Sequence, residues 1–185
     1  MSDLSPTPGQ TVGPFFAYAL PFDGGADLVP AGHPRAIRLH GTVYDGTGAP
    51  VPDALVELWQ ADEDGWVPQV EGSRARDGWT FTGFGRAPVD DNGRYSFTTL
   101  RPGATDDGRT PFFAVTVFAR GLLHRLFTRA YLPLDDEEAA ADPLLSRLPQ
   151  DRRGTLVTRR DGQGFAFDIR LQGPGETVFL DFGDG

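Results

Sequence analysis

Ile37-Arg38-Leu39-His40-Gly41-Thr42-Val43-Tyr44 alternates apolar or small side chains with polar ones, and Ala54-Leu55-Val56-Glu57-Leu58-Trp59-Gln60 resumes the alternation after a Gly/Pro-rich break. A period of two places Ile37, Leu39, Gly41 and Val43 on one face of a strand, and Ala54, Val56 and Leu58 on one face of the next. Gly46, Gly48, Pro50 and Pro52 supply the turn chemistry between them. The pattern continues along the chain. Asp90-Asp91-Asn92-Gly93 turns into Tyr95 and Phe97, and Phe113, Val115 and Val117 alternate with Phe112, Ala114, Thr116 and Phe118. Leu126–Tyr131 follows Gly121, and Phe165, Phe167, Ile169 and Leu171 give the cleanest period of two. The segment Phe112–Phe118, apolar on both faces, predicts a central or covered strand. About seven strands with Gly/Pro turns predict an all-β chain folded as two packed antiparallel sheets, a β-sandwich.

The one helical signal is Asp142–Leu148, with Asp142 as cap and Pro143 at the first helical position. The acidic stretch Asp135–Asp142 reads as a solvated loop, and Gly83-Phe84-Gly85-Arg86 as a glycine-rich turn, since no complete phosphate-binding fingerprint follows it. Residues 1–34 have no periodicity. They read as an arm that packs on its own domain, packs on a partner, or stays disordered. The 185 residues suit one domain spanning 1–185, with no internal repeat.

Composition removes whole classes of chemistry. There is no cysteine, so thiolate metal sites and a cysteine nucleophile are excluded. All 17 bases are arginine, which removes lysine Schiff bases and a phosphate-loop lysine. A net charge of −9 argues against nucleic acid as a partner. No apolar run approaches the roughly 20 residues that span a bilayer, and no basic leader is evident, so a cytoplasmic protein is expected.

His33, His40 and His124 are too far apart in sequence to form a local metal pair and read as surface or structural residues. Glu57, a carboxylate within an apolar strand, reads as half of a salt bridge with an arginine, with a catalytic role as the alternative. There is no Gly-x-Ser-x-Gly nucleophile elbow. Residue chemistry alone stops at a β-sandwich of unresolved function.

Several segments, taken in order, resemble the intradiol dioxygenase family. They are Gly41–Asp45, Pro50–Ala54 and Glu57–Asp62, then Gly83–Arg86, Asp91–Phe97 and Arg101–Gly103. Thr7–Phe16, Val117–Gly121, Phe167–Gly173 and Gly175–Phe182 extend the likeness to nearly the whole chain and resemble the α chains of the family's αβ enzymes. The resemblance implies a non-haem ferric ion held by two tyrosinates and two histidines in catalytic chains. The first tyrosine position, eight residues after Trp59, is Val67 here, and the second, two after Gly103, is Thr105. The histidine positions fall on Phe112 and Ala114, which read as core filling. No tyrosine lies between Tyr44 and Tyr95 or between Tyr95 and Tyr131, and no histidine between His40 and His124.

The implied role is therefore that of a non-catalytic α chain, with no metal of its own and no catalytic residue. Its partner would be a β chain that binds Fe(III), in a complex that converts protocatechuate and O2 to 3-carboxy-cis,cis-muconate during aromatic catabolism. The resemblance carries substrate-binding roles to Thr11, Gly13 and Pro14 of the arm and to Arg120. The alternatives are a turn packed on its own domain for the arm and an intersubunit salt bridge for Arg120. Phe15 and Arg109 depart from the pattern: Phe15 replaces a common tyrosine, and Arg109 occupies an arginine position of the iron-bearing chains. The rival readings are a transthyretin-like sandwich that binds ligands without an enzymatic partner and an independent carboxylate enzyme centred on Glu57. The α-chain reading also expects aggregation or self-association when the chain is made alone.

Overall fold

The computed structural model describes residues 13, 15–69, 71–74, 76–106 and 109–182. Among the described residues there are nine strands: β1 (Ile37–Tyr44), β2 (Leu55–Trp59), β3 (Phe84–Pro88), β4 (Arg94–Thr99), β5 (Phe112–Phe118), β6 (Leu126–Tyr131), β7 (Arg159–Asp161), β8 (Gly164–Ala166) and β9 (Ile169–Arg170). They form two sheets. One runs β4-β1-β8-β7 with β9 also on β1, and the other runs β3-β2-β5-β6. Leu39, Val43, Tyr95 and Phe97 of the first pack against Val56, Leu58, Phe113, Val115 and Val117 of the second, all nearly sealed from solvent. These are the positions that the alternation marked as inward. β5 is interior, between β2 and β6, as its two apolar faces predicted.

The expectation of purely antiparallel sheets is corrected by β8 and β9, which lie parallel to β1. Alternation reports which face is buried but not the direction of the neighbouring strand. The single strand expected over Phe165–Leu171 is split at Phe167-Asp168. There the Asp168 carboxylate accepts the Thr42 amide at 2.9 Å in place of a backbone carbonyl, and the Phe167 carbonyl lies over Gly41. Gly83–Arg86 is corrected from turn to strand in part. Gly83 adopts φ +67°, but Gly85 lies within β3, where an added Cβ would stand 2.5 Å from the Leu28 side chain.

The acidic stretch is helical rather than a loop. Helix α2 (Asp136–Ala141) opens on a capping box: the Asp135 carboxylate accepts the Glu138 amide at 2.8 Å, and the Glu138 carboxylate accepts the Asp135 amide at 2.9 Å. Three alanines follow, and Ala139 is buried. The helix expected over Asp142–Leu148 shrinks to a 3-10 turn at Leu145–Arg147. Its cap position is Leu144 rather than Asp142, and Pro143 lies before it; the Asp142 carboxylate nevertheless accepts the amides of Leu144 (2.9 Å) and Leu145 (3.0 Å) at its start. Together with Leu156, these segments cover Tyr131 in a second, smaller core. No helix among the described residues is long and apolar enough to cross a membrane.

The described part of the arm packs on its own chain. It begins with the short helix α1 (Phe16–Ala19), whose Phe16 is buried. Gly25 O accepts the Arg86 amide of β3 at 2.8 Å, and Ala26 O accepts the Thr98 amide of β4 at 2.9 Å. Residues 24–29 thus close the gap between the edge strands of the two sheets, which protects both edges.

Candidate functional site

The strand period turns Phe112 and Ala114 of β5 and Trp59 of β2 to the side away from the main core. Around them Gln60, Ala61, Val67 and Pro68, with Gly103, Thr105, Thr110 and Pro111, enclose one cavity of about 170 Å3. Its wall includes Trp59, Val67, Thr105, Phe112 and Ala114. The four positions at which the family resemblance places iron ligands therefore line the same space. The expectation that Phe112 and Ala114 fill the core holds only in part: both are partly exposed and face the cavity, while Phe112 also packs against the smaller core around Tyr131.

Local geometry fixes these walls. Asp62 O accepts the amides of Gly65 (3.2 Å) and Gly103 (2.7 Å), which ties the two wall loops together. A Cβ on Gly103 would lie 2.4 Å from both Glu63 O and Gly65 N, so only glycine allows this approach. Trp59 packs on Phe84 with centroids 4.5 Å apart. The Arg129 guanidinium stacks on the Phe112 ring at 3.9 Å and donates to the Tyr131 hydroxyl at 3.3 Å. That hydroxyl is held neutral, its pKa pushed up to about 12, chiefly by burial. Gln60 is satisfied by the chain itself: its amide donates to Ala61 O and Leu100 O, each at 3.0 Å, and accepts from Thr99 Oγ.

The other candidate residues lie elsewhere. Arg120 follows the far end of β5, beside Gly121 (φ +90°), and its Nη2 pairs with Asp53 at 2.8 Å while the side chain stays 65% exposed. This is an ion pair within the chain, which neither sequence reading of Arg120 foresaw. Gly13 is exposed, and its carbonyl accepts the Phe16 amide at 3.2 Å. A Cβ added there would meet nothing within 4 Å. Thr11 and Pro14 lie outside the described residues. Arg109 pairs with Asp106 at 3.2 Å on an exposed loop.

Glu57 is bound to Arg86, as the salt-bridge reading expected. His40 faces Asp161 at 3.2 Å, and His33 Nδ1 accepts the Arg35 amide at 3.2 Å. Among the described residues no three His, Asp or Glu side chains gather closely enough to hold a metal. The cavity itself was missed by sequence reading. Its signal was the placement of Phe112 and Ala114 out of phase with the inward Phe113 and Val115.

Comparison with known proteins places this geometry in context. A sequence model of the dioxygenase family (Dioxygenase_C) matches residues 12–173. The chain is 42% identical to the protocatechuate 3,4-dioxygenase alpha chain of Burkholderia cepacia, over 98% of this chain and 100% of the relative. It is 34% identical to the beta chain from the same organism, over 80% of this chain and 69% of the relative. The dioxygenase domain of a dioxygenase–carbohydrate-binding protein fusion from Streptomyces sp. SirexAA-E superposes with a TM-score of 0.58 at 26% identity, covering 92% of this chain and all of that domain.

Proposed function

The chain belongs to the intradiol dioxygenase family, and from that premise we propose that it is the non-catalytic α subunit of an αβ protocatechuate 3,4-dioxygenase. In this reading the complex works in the cytoplasm, in aromatic catabolism. It opens the protocatechuate ring between its two hydroxyl-bearing carbons and places both atoms of O2 in 3-carboxy-cis,cis-muconate.

The observation that carries the proposal is the composition of the cavity wall. Val67, Thr105, Phe112 and Ala114 offer a single neutral hydroxyl between them, whereas a ferric ion calls for several anionic or imidazole donors. These residues do not fit iron, and no reaction step is assigned to them. The iron is assigned instead to the β chain, a relative of which this sequence also matches.

The α chain would supply wall and charge at the β chain's pocket. Thr11, Gly13 and Pro14 would form the wall. Among the described residues no neighbour demands glycine at position 13, which fits close approach by a group outside them. The exposed guanidinium of Arg120 would favour the carboxylate of protocatechuate, with Asp53 holding it in place.

The test is expression of this chain alone and with a β chain, measuring iron content, tyrosinate-to-iron absorption and protocatechuate-dependent O2 uptake. A colourless, inactive α chain that enters a coloured, active complex with β is the expected result. Iron-dependent activity from α alone, or a stable α monomer that ignores β, overturns the proposal.

A further inference from the structure

We propose that the groove on the outer face of the β4-β1-β8-β7 sheet binds a small polycarboxylate, held by Arg38, Arg94 and Arg159. Strand register builds the groove. Arg159 of β7 stands opposite Ala166 of β8, and Ala166 opposite His40 of β1, so the three share a row. Thr42 and Arg94 form the next row on the same face, two residues further along β1. Ala166 has the smallest side chain of its row and leaves the floor low between taller neighbours. The groove measures about 330 Å3, within the size range of small-ligand sites.

The charges in this groove do not cancel one another. Asp161 and Asp168 line it together with the three arginines, yet among the described residues none of these guanidiniums pairs with a carboxylate. The acids are engaged otherwise. Asp161 Oδ1 accepts the Gln163 amide at 2.8 Å and faces His40 Nε2 at 3.2 Å, and Asp168 Oδ1 accepts the Thr42 amide at 2.9 Å. By contrast Arg35, Arg86, Arg109 and Arg120 each hold a carboxylate of the chain. Arg38 is anchored by neutral groups alone: Nε donates to Ser96 Oγ at 2.7 Å and Nη1 to Gln163 Oε1 at 3.1 Å. Its Nη2 is left for a ligand, already oriented. Three cations thus converge without counter-charge in a chain of net charge −9.

Geometry selects the class of anion. The fork of a guanidinium matches a carboxylate with two parallel hydrogen bonds. Arg94 and Arg159 rise from strands three spacings apart, about 14 Å at the backbone. Carboxylates at the ends of a short carbon chain reach both. A compact anion such as phosphate would instead set its whole charge above Asp161 and Asp168. The groove belongs to the sheet that does not carry the β2–β5 cavity, so the inference does not rest on the subunit reading.

The test is calorimetric titration of propane-1,2,3-tricarboxylate at pH 7 and low salt into the full chain, purified with any partner chain it requires. Wild type is compared with the double variant Arg94→Gln/Arg159→Gln, whose exposed side chains hold nothing in place, and with Arg147→Gln, which removes one exposed charge outside the groove. Saturable binding in the millimolar range or tighter, weakened at least about tenfold by the double variant and unchanged by Arg147→Gln, is expected. Absence of saturable binding, or equal weakening by Arg147→Gln, overturns the site. Phosphate that binds as tightly and with the same loss in the double variant overturns the polycarboxylate class.

Discussion

Arg86 grips a single oxygen of Glu57 with two donors: Nε at 2.8 Å and Nη2 at 2.5 Å both reach Oε1 across the β2–β3 pair. Both side chains are largely buried, and Arg86 Nη1 also donates to Leu20 O at 2.8 Å, which ties the arm to the outer face of the sheet. The arrangement makes Glu57 a structural partner. Arg86→Leu leaves a largely buried carboxylate unpaired and is expected to cost about 3 kcal/mol in urea unfolding. Glu57→Gln keeps an acceptor and is expected to cost about 1–2 kcal/mol. Loss of O2 uptake by the Glu57→Gln complex at unchanged stability would instead mark Glu57 as catalytic.

Restoring the four donor positions should create a metal site. Val67→Tyr, Thr105→Tyr, Phe112→His and Ala114→His all line one cavity, and their combination is expected to bind Fe(III) with visible tyrosinate absorption. Under the same loading conditions the parent chain is expected to remain colourless. A folded quadruple variant that takes up no iron would show that the four side chains do not converge.

Gly41 admits no side chain. A Cβ there would stand 1.9 Å from Phe167 O, the atom that also accepts the Tyr95 hydroxyl at 2.6 Å. Gly41→Ala is expected to lose about 3 kcal/mol or to prevent folding, because the backbone crossing has no room to shift. Tyr95→Phe removes only the hydrogen bond and is expected to lose about 1–2 kcal/mol. Chemical denaturation of both variants checks the order.

Acid should loosen three loops before the core. The Asp77 carboxyl is held at about 2 by the Thr80 hydroxyl and then by the amides of Thr80 and Trp79. Asp45 is lowered first by the Thr47 hydroxyl, and Asp161 first by the Gln163 amide, with His40 assisting. Each depressed value means that the folded state prefers the ionised group. Its contribution is therefore present above the unfolded carboxylate range near pH 4 and fades as pH falls through the folded value. Relative to the intrinsic exchange rate at each pH, protection of the Thr47, Thr80 and Gln163 amides is expected to fall between about pH 4 and pH 2 while that of β5 is kept. Uniform protection across that range would contradict it.

The strands were legible because burial follows a period of two, as at Leu39, Val43, Phe113, Val115 and Val117. Strand direction was not legible, since the partner of β1 arrives from residues far along the chain. Helix α2 was misread because its acidity suggested a solvated loop. Asp135 and Glu138 nevertheless carry the spacing of a capping box, and three alanines follow. At the site, the absence of donor side chains at Val67, Phe112 and Ala114, and of any but a neutral hydroxyl at Thr105, was readable position by position. The empty space was not, because it depends on wall loops held by Asp62 and Gly103 rather than on any local pattern.

Parallel pairing of β8 and β9 with β1 also sets a timetable. During synthesis β4 can join β1 from one side, but the other side waits for Phe165, Ala166 and Ile169 to leave the ribosome. Until then the nascent sheet has an open edge beside apolar Leu39 and Val43, the condition under which one unfinished chain pairs with another. A chain truncated before Gly164 would therefore hold a complete second sheet but leave that side of β1 unpaired, and it is expected to associate more readily than the full chain.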